Sequence, residues 1–176
     1  MNSTLYTVGH SNRTIEEFFA LLQAHGIERL VDVRTIPKSR HNPQFNRDTL
    51  PGSLSAHGIG YEHRKGLGGL RHTTKDSPNQ GWRNASFRGY ADYMQTDEFA
   101  GEIEALAELA RSERIAIMCA EAVPWRCHRS LIGDAMRVRG FKVLDIMNEK
   151  TEREHKLTRF AQVEGTRITY PFALEG

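Results

Sequence analysis

The stretch "RIAIMCAEAVPWRCHRSLIGDAMRVRGFKVLDIM", residues 114–147, decides the fold. It opens on RIAIMC, a short apolar run that reads as a buried strand ending in Cys119. A polar turn follows, then CHRSLIGDAMRVRG, a helix ending at Gly140, and then FKVLDIM, another strand. Strands separated by a helix argue for α/β architecture with a largely parallel sheet.

The same alternation extends towards the N-terminus. Residues 4–8 read as a buried strand ended by Gly9. Thr14 and Glu17 have capping-box spacing ahead of Phe18, Leu21 and Leu22 on one helical face, and Gly26 stops that helix, with His25 as a C-terminal cap. ERLVDV, residues 28–33, gives a second strand, and Phe99, Ile103, Leu106 and Leu109 mark a helix over 97–111. The expected fold is a three-layer α/β domain spanning 1–176, its mostly parallel sheet flanked by helices. It carries a basic, loop-rich insertion at about 37–89, with short pieces near 46–57 and 59–63, and a C-terminal extension at about 148–176. In the extension, KTEREHKLTRFAQ reads as helical and RITYPF as an edge strand before Pro171. No repeat and no interdomain linker is visible.

A chain of 176 residues buries roughly 70% of its unfolded surface, so its core needs no covalent staples. The start MNSTLYTVGH lacks the basic and apolar regions of a signal peptide, and no 18-residue apolar stretch occurs. The expectation is a soluble cytoplasmic protein without a membrane partner. In that reducing compartment Cys119 and Cys127 are more plausibly thiols than a disulfide.

Net charge is only +2, but it is unevenly placed. From Arg34 to Arg88 ten Lys or Arg face three acids, interleaved with Phe45, Tyr61, Trp82, Phe87 and Tyr90 and with several glycines. That mixture suits phosphates and stacked bases, so the expected partner is an anionic small molecule or a nucleic acid. An ordinary solvated basic loop would have the same composition.

On the expected frame, His10 and Ser11 follow the first strand and Asp32 and Arg34 end the second. Cys119 and Glu121 follow the third, and Cys127, His128 and Arg129 open the next helix. All therefore fall on the carboxyl edge of the sheet, where open α/β sheets bind ligands. Cys119, Glu121 and His10 are the candidate catalytic groups. Ser11, Asp32, Arg34, Ser39, Arg40, Arg126, Cys127, His128 and Arg129 are the candidate binding groups.

Each has a plainer reading as well. Cys119 is either a thiol activated by a helix N-terminus or a small buried hydrophobe. Cys127 also reads as a packed first-turn residue, His10 as a cap element, and Asp32 with Arg34 as a salt bridge across the strand end. Because His128 and Arg129 project about 100° apart on a helix, only one or two of Cys127, His128 and Arg129 can face one site. The Cys-x7-Cys-His spacing is not a zinc knuckle, so no metal or other cofactor is assigned.

The motifs TVGHSN, LVDVRTIPKSR, LGGLR, IMCAE and CHRSLI occur in this order, and on them the chain resembles the domain of unknown function 488 family over about residues 4–146. The resemblance implies no activity. By position it implies functional weight for His10, Ser11, Asp32, Arg34, Pro37, Ser39, Cys119, Glu121, Cys127, His128 and Arg129. More loosely, a strand-end Cys followed by an Arg-bearing loop and a helix is similar to rhodanese-like and Cys-dependent phosphatase domains, but six residues separate Cys119 from Arg126 and AEAVPWR lacks glycine.

Three functions remain open: an enzyme acting on a phosphate-bearing or other anionic substrate at the sheet edge, a nucleic-acid-binding module without catalysis, and a zinc or thiol redox domain.

Overall fold

The computed structural model describes residues 3–171. β1 (Thr4–Gly9) leads through α1 (Ile15–Ala24) to β2 (Arg29–Asp32). α2 (Leu50–Ser55) and β3 (Gly60–His63) follow, then α3 (Ala85–Tyr93) and α4 (Asp97–Ser112). β4 (Ile115–Cys119), α5 (Arg129–Arg137) and β5 (Lys142–Ile146) form the unit with which the sequence reading began. The six-stranded sheet runs β3-β2-β4-β1-β5-β6, with β6 (Glu152–Glu154) antiparallel to β5 and the other pairings parallel.

Side-chain alternation along the strands sorts the core into two layers. Leu5, Val31, Val33, Ile115, Ile117 and Cys119 face α3, α4 and α5, in a cluster with Tyr90, Ile103, Leu106 and Leu131. Tyr6, Val8, Leu30, Ala116 and Met118 face α1 and α2, in a cluster with Phe18, Leu22, Phe45 and Leu54. The result is the expected three-layer arrangement. α1 starts where expected: Thr14 Oγ1 accepts from Glu17 N and Glu17 Oε1 accepts from Thr14 N. His25 is its C-cap, and Gly26 follows with φ +69°.

The helices that follow the neighbouring strands β1 and β4 lie on opposite faces of the sheet: α1 packs on one, α5 on the other. The two connections therefore diverge as they leave the sheet, and a crevice opens between the carboxyl ends of β1 and β4. This divergence positions the site.

Two expectations about the C-terminal extension are corrected, and one helix is added to the insertion. The basic insertion carries short elements, and α3, which the sequence reading did not anticipate, begins inside it. Gly89 sits mid-helix there because a Cβ would lie 2.4 Å from the Arg71 carbonyl oxygen. KTEREHKLTRFAQ is not helical: it has no apolar stripe to bury, and its Glu152–Glu154 segment hydrogen-bonds the free edge of β5 instead. RITYPF does not extend the main sheet. β8 (Arg167–Thr169) pairs with β7 (Gln162–Glu164) as a hairpin turning at Gly165, φ +62°, and Phe172 lies outside the described residues. Tyr170 then docks this tail, its hydroxyl donating to Asp134 at 2.8 Å. Among the described residues no helix is long and apolar enough to cross a membrane.

Candidate active site

Cys119 ends β4 pointing into the α5 layer, and the chain from Ala120 to His128 arches back over the sheet edge. The arch comes so close to β1 that a Cβ on Gly9 would lie 1.7 Å from the Glu121 carbonyl oxygen, so only glycine fits. Beside it, His10 N donates to Cys119 O at 3.0 Å and Ser11 N to Ala120 O at 2.9 Å. Ser11 holds φ +50°, a left-handed conformation sustained by that pairing.

Arg129 fastens the arch from beneath. It is 1% exposed, and its Nε lies 3.1 Å from Cys119 Sγ. Nη1 donates to Thr7 Oγ1 at 3.1 Å, and Nη2 to the carbonyls of Glu121 (2.9 Å) and Ala122 (3.4 Å). Thr7 in turn donates to the buried Asp145. Among the described residues Arg129 forms no ion pair with a carboxylate; its counter-charges are the Cys119 sulfur directly and Asp145 through Thr7. Expected to bind an anion, Arg129 is instead spent on the protein.

These contacts set the thiol's acidity. Burial alone would push the Cys119 thiol up, but the hydrogen bond from Cys127, the Arg129 charge and the Glu121 backbone together bring it down to about 7. Burial and the adjoining Cys119 sulfur hold the Cys127 thiol well above its ordinary range. Both cysteines are free thiols. Cys127 Sγ lies 3.4 Å from His128 Nδ1, while His128 Nε2 donates to Val33 O at 2.8 Å. Burial lowers the His128 pKa to about 4, so the ring is neutral.

The second group lies on the opposite face of the sheet. Asp32, fully buried, holds Arg34 in a fork (2.9 and 2.7 Å) and accepts from the Tyr61 hydroxyl at 2.5 Å. Arg34 Nη2 also donates to Phe45 O at 2.7 Å, whereas its buried Nη1 has no partner among the described residues. His10 stacks on Phe45, with ring centroids 4.4 Å apart. Its Nδ1 donates to Ser11 O at 2.7 Å, burial lowers its pKa to about 4, and Nε2 has no partner among the described residues.

A cleft of about 370 Å³ joins part of both groups: Arg34, Cys119, Glu121, Arg126, Cys127 and His128 line it, with Lys38 at its mouth. His10, Ser11, Asp32 and Arg129 do not line it; they brace those that do. Ser39 and Arg40 are also outside: Ser39 braces the 38–46 loop, accepting from Asn42 N at 3.1 Å while its own N–H donates to Asn46 at 2.6 Å, and Arg40 is exposed. The sequence reading missed Thr7 and Asp145 because each lies inside a strand as an isolated polar residue, and it counted Tyr61 only among the aromatics of the basic block. Gly9 was the available signal for the close crossing. Among the described residues no cluster of three or more His, Cys, Asp or Glu is placed to hold a metal ion.

Fold and cleft together define a class: an α/β domain with an arginine-clamped cysteine loop at the carboxyl edge of its sheet. Residues 14–136 match the family described as "Domain of unknown function DUF488", and the chain belongs to that family. The matched span contains the Asp32–Arg34 pair and the whole cysteine loop but leaves His10 and Ser11 outside. No curated protein and no solved structure matches the chain, and the looser likeness to rhodanese-like domains has no counterpart in these comparisons.

Proposed function

We propose that the protein is a thiol-dependent enzyme acting on a phosphate-bearing or similarly anionic substrate, with Cys119 as nucleophile. One observation supports this reading: a single cleft is lined by Cys119, whose buried sulfur Arg129 holds, and by Arg34, whose buried Nη1 lacks an acceptor among the described residues. A buried N–H left unpaired costs about 1–3 kcal/mol, a cost that an anionic ligand oxygen would relieve. Asp32 fixes the other edge of the guanidinium, and Lys38 and Arg126 add charge at the rim.

In the reaction, the Cys119 electron pair forms a bond to the substrate's electrophilic atom while the leaving group departs with the bonding pair. Glu121, exposed on the same cleft, supplies the proton that the leaving group takes. Arg129 acts as a positioning residue that keeps the sulfur ionised.

The test uses inorganic phosphate as the probe. Phosphate is expected to slow alkylation of Cys119 by iodoacetamide in a saturable way, and Arg34→Gln to abolish that protection while leaving the unprotected rate within about twofold. Equal rates with and without phosphate in the unaltered protein would reject the anion site.

A further inference from the structure

Cationic and aromatic side chains continue well beyond the Cys119 cleft. Phe87 lines that cleft and also the next, of about 520 Å³, whose other walls include Trp82, Arg83 and Arg159. Trp82 and Arg159 are shared in turn with a third, of about 720 Å³, which Trp125, Arg153 and Lys156 enclose. The cysteine loop is the wall between first and third: Arg126 and Cys127 face one side, Pro124 and Trp125 the other. Sharing these walls, the three clefts follow one another around the loop as an interrupted groove.

The groove's chemistry is specific. Trp125 is 53% exposed, a large apolar ring left uncovered, and the Arg153 guanidinium stands 5.1 Å from its centroid. Phe87 packs edge-on against Trp82 at 5.1 Å, and Trp82 Nε1 is a buried donor without a partner among the described residues. Of the acids in the third cleft, Asp145 is buried and accepts from Thr7, and Glu154 pairs with Arg137, while Arg153, Lys156 and Arg159 form no ion pair with a carboxylate among the described residues. Cations spaced along a groove with aromatic faces between them match a backbone of phosphates carrying flat bases. A mononucleotide would occupy one cleft and leave the other cations without a role.

We infer that this groove binds single-stranded nucleic acid, with Trp125 as a base-stacking platform and Arg153, Lys156 and Arg159 on the backbone phosphates. The inference rests on the proposed function only for where the reacting phosphate sits, beside Cys119; binding itself needs no reactive thiol.

The chain has two tryptophans, and both lie in the groove, so intrinsic emission reports on it directly. The experiment titrates Cys119→Ser protein with a single-stranded oligodeoxythymidine. Tryptophan emission is expected to be quenched, with affinity falling steeply as salt rises. Trp125→Ala is expected to weaken binding about tenfold, the loss of one stacked base, and Arg159→Ala to reduce the salt dependence by about one phosphate contact. Trp125 stands exposed on a loop, so its removal leaves the core intact, and circular dichroism checks this. Absence of quenching, binding unaffected by Trp125→Ala, or equally tight binding of polyaspartate would each overturn the inference. Oligonucleotide binding by a protein whose Cys119 proves inert would leave this inference standing and remove the proposed chemistry.

Discussion

Arg129 is the residue on which the site turns. A guanidinium taken out of water is tolerated only when its donors are matched and its charge is offset. Its donors meet the Cys119 sulfur, Thr7 and two carbonyls, so ionising Cys119 supplies the offset that no directly bonded carboxylate provides. His10 and His128 show the reverse effect. Burial holds both near 4, so protonation opposes folding. Because the unfolded chain takes up these protons at about 6.5, their contribution is full above that pH and is lost as pH falls from about 6.5 towards 4. Thermal denaturation followed against pH should show the melting temperature falling across that window. In a proton NMR titration, the His10 and His128 rings should show no titration down to about pH 5. Eight rings all titrating near 6.5 would contradict the buried, neutral assignment.

At the scale of elements, the close crossing of β1 by the cysteine loop makes two glycines behave oppositely. Gly9→Ala would drive a methyl into the Glu121 carbonyl, and it should cost about 1–3 kcal/mol or more in urea denaturation. Gly101 lies within α4, where an added Cβ meets nothing within 4 Å, so Gly101→Ala should add about 0.5–1 kcal/mol. Similar losses at both positions would show that the loop does not pack as described. The strands and α1 were readable because apolar runs, a capping box and stop glycines each encode one element locally. α3 was not, since its Gly89 and mixed polarity reflect contact with the Arg71 loop, which local periodicity cannot report. The tail failed for the same reason: Glu152–Glu154 form a strand only because β5 has a free edge.

For the molecule as a whole, the carboxyl edge was legible from topology, since strand ends carrying Gly9-His10, Asp32-Arg34 and Cys119 had to share it. Which side chains open onto a common cleft was not, because it depends on which face of the sheet each leaves. Charge counting also misled in part. Of the basic block, Arg34 is tied to Asp32, Arg64 pairs with Glu62 and Glu102, Arg71 lies 3.5 Å over the Tyr93 ring, and Arg88 donates to the Trp82 carbonyl. Several of the charges in the proposed groove come instead from the tail, whose function the sequence did not disclose. Activation of Cys119 is where fold, clamp and cleft meet, and its alkylation by iodoacetamide as a function of pH, with peptide mapping, probes it most directly. The rate at Cys119 should rise with a midpoint near pH 7, with Cys127 reacting only at much higher pH. A Cys119 midpoint at or above the free-thiol value of about 8.5, or no reaction in the folded protein, would make it a core thiol and contradict the nucleophile assignment.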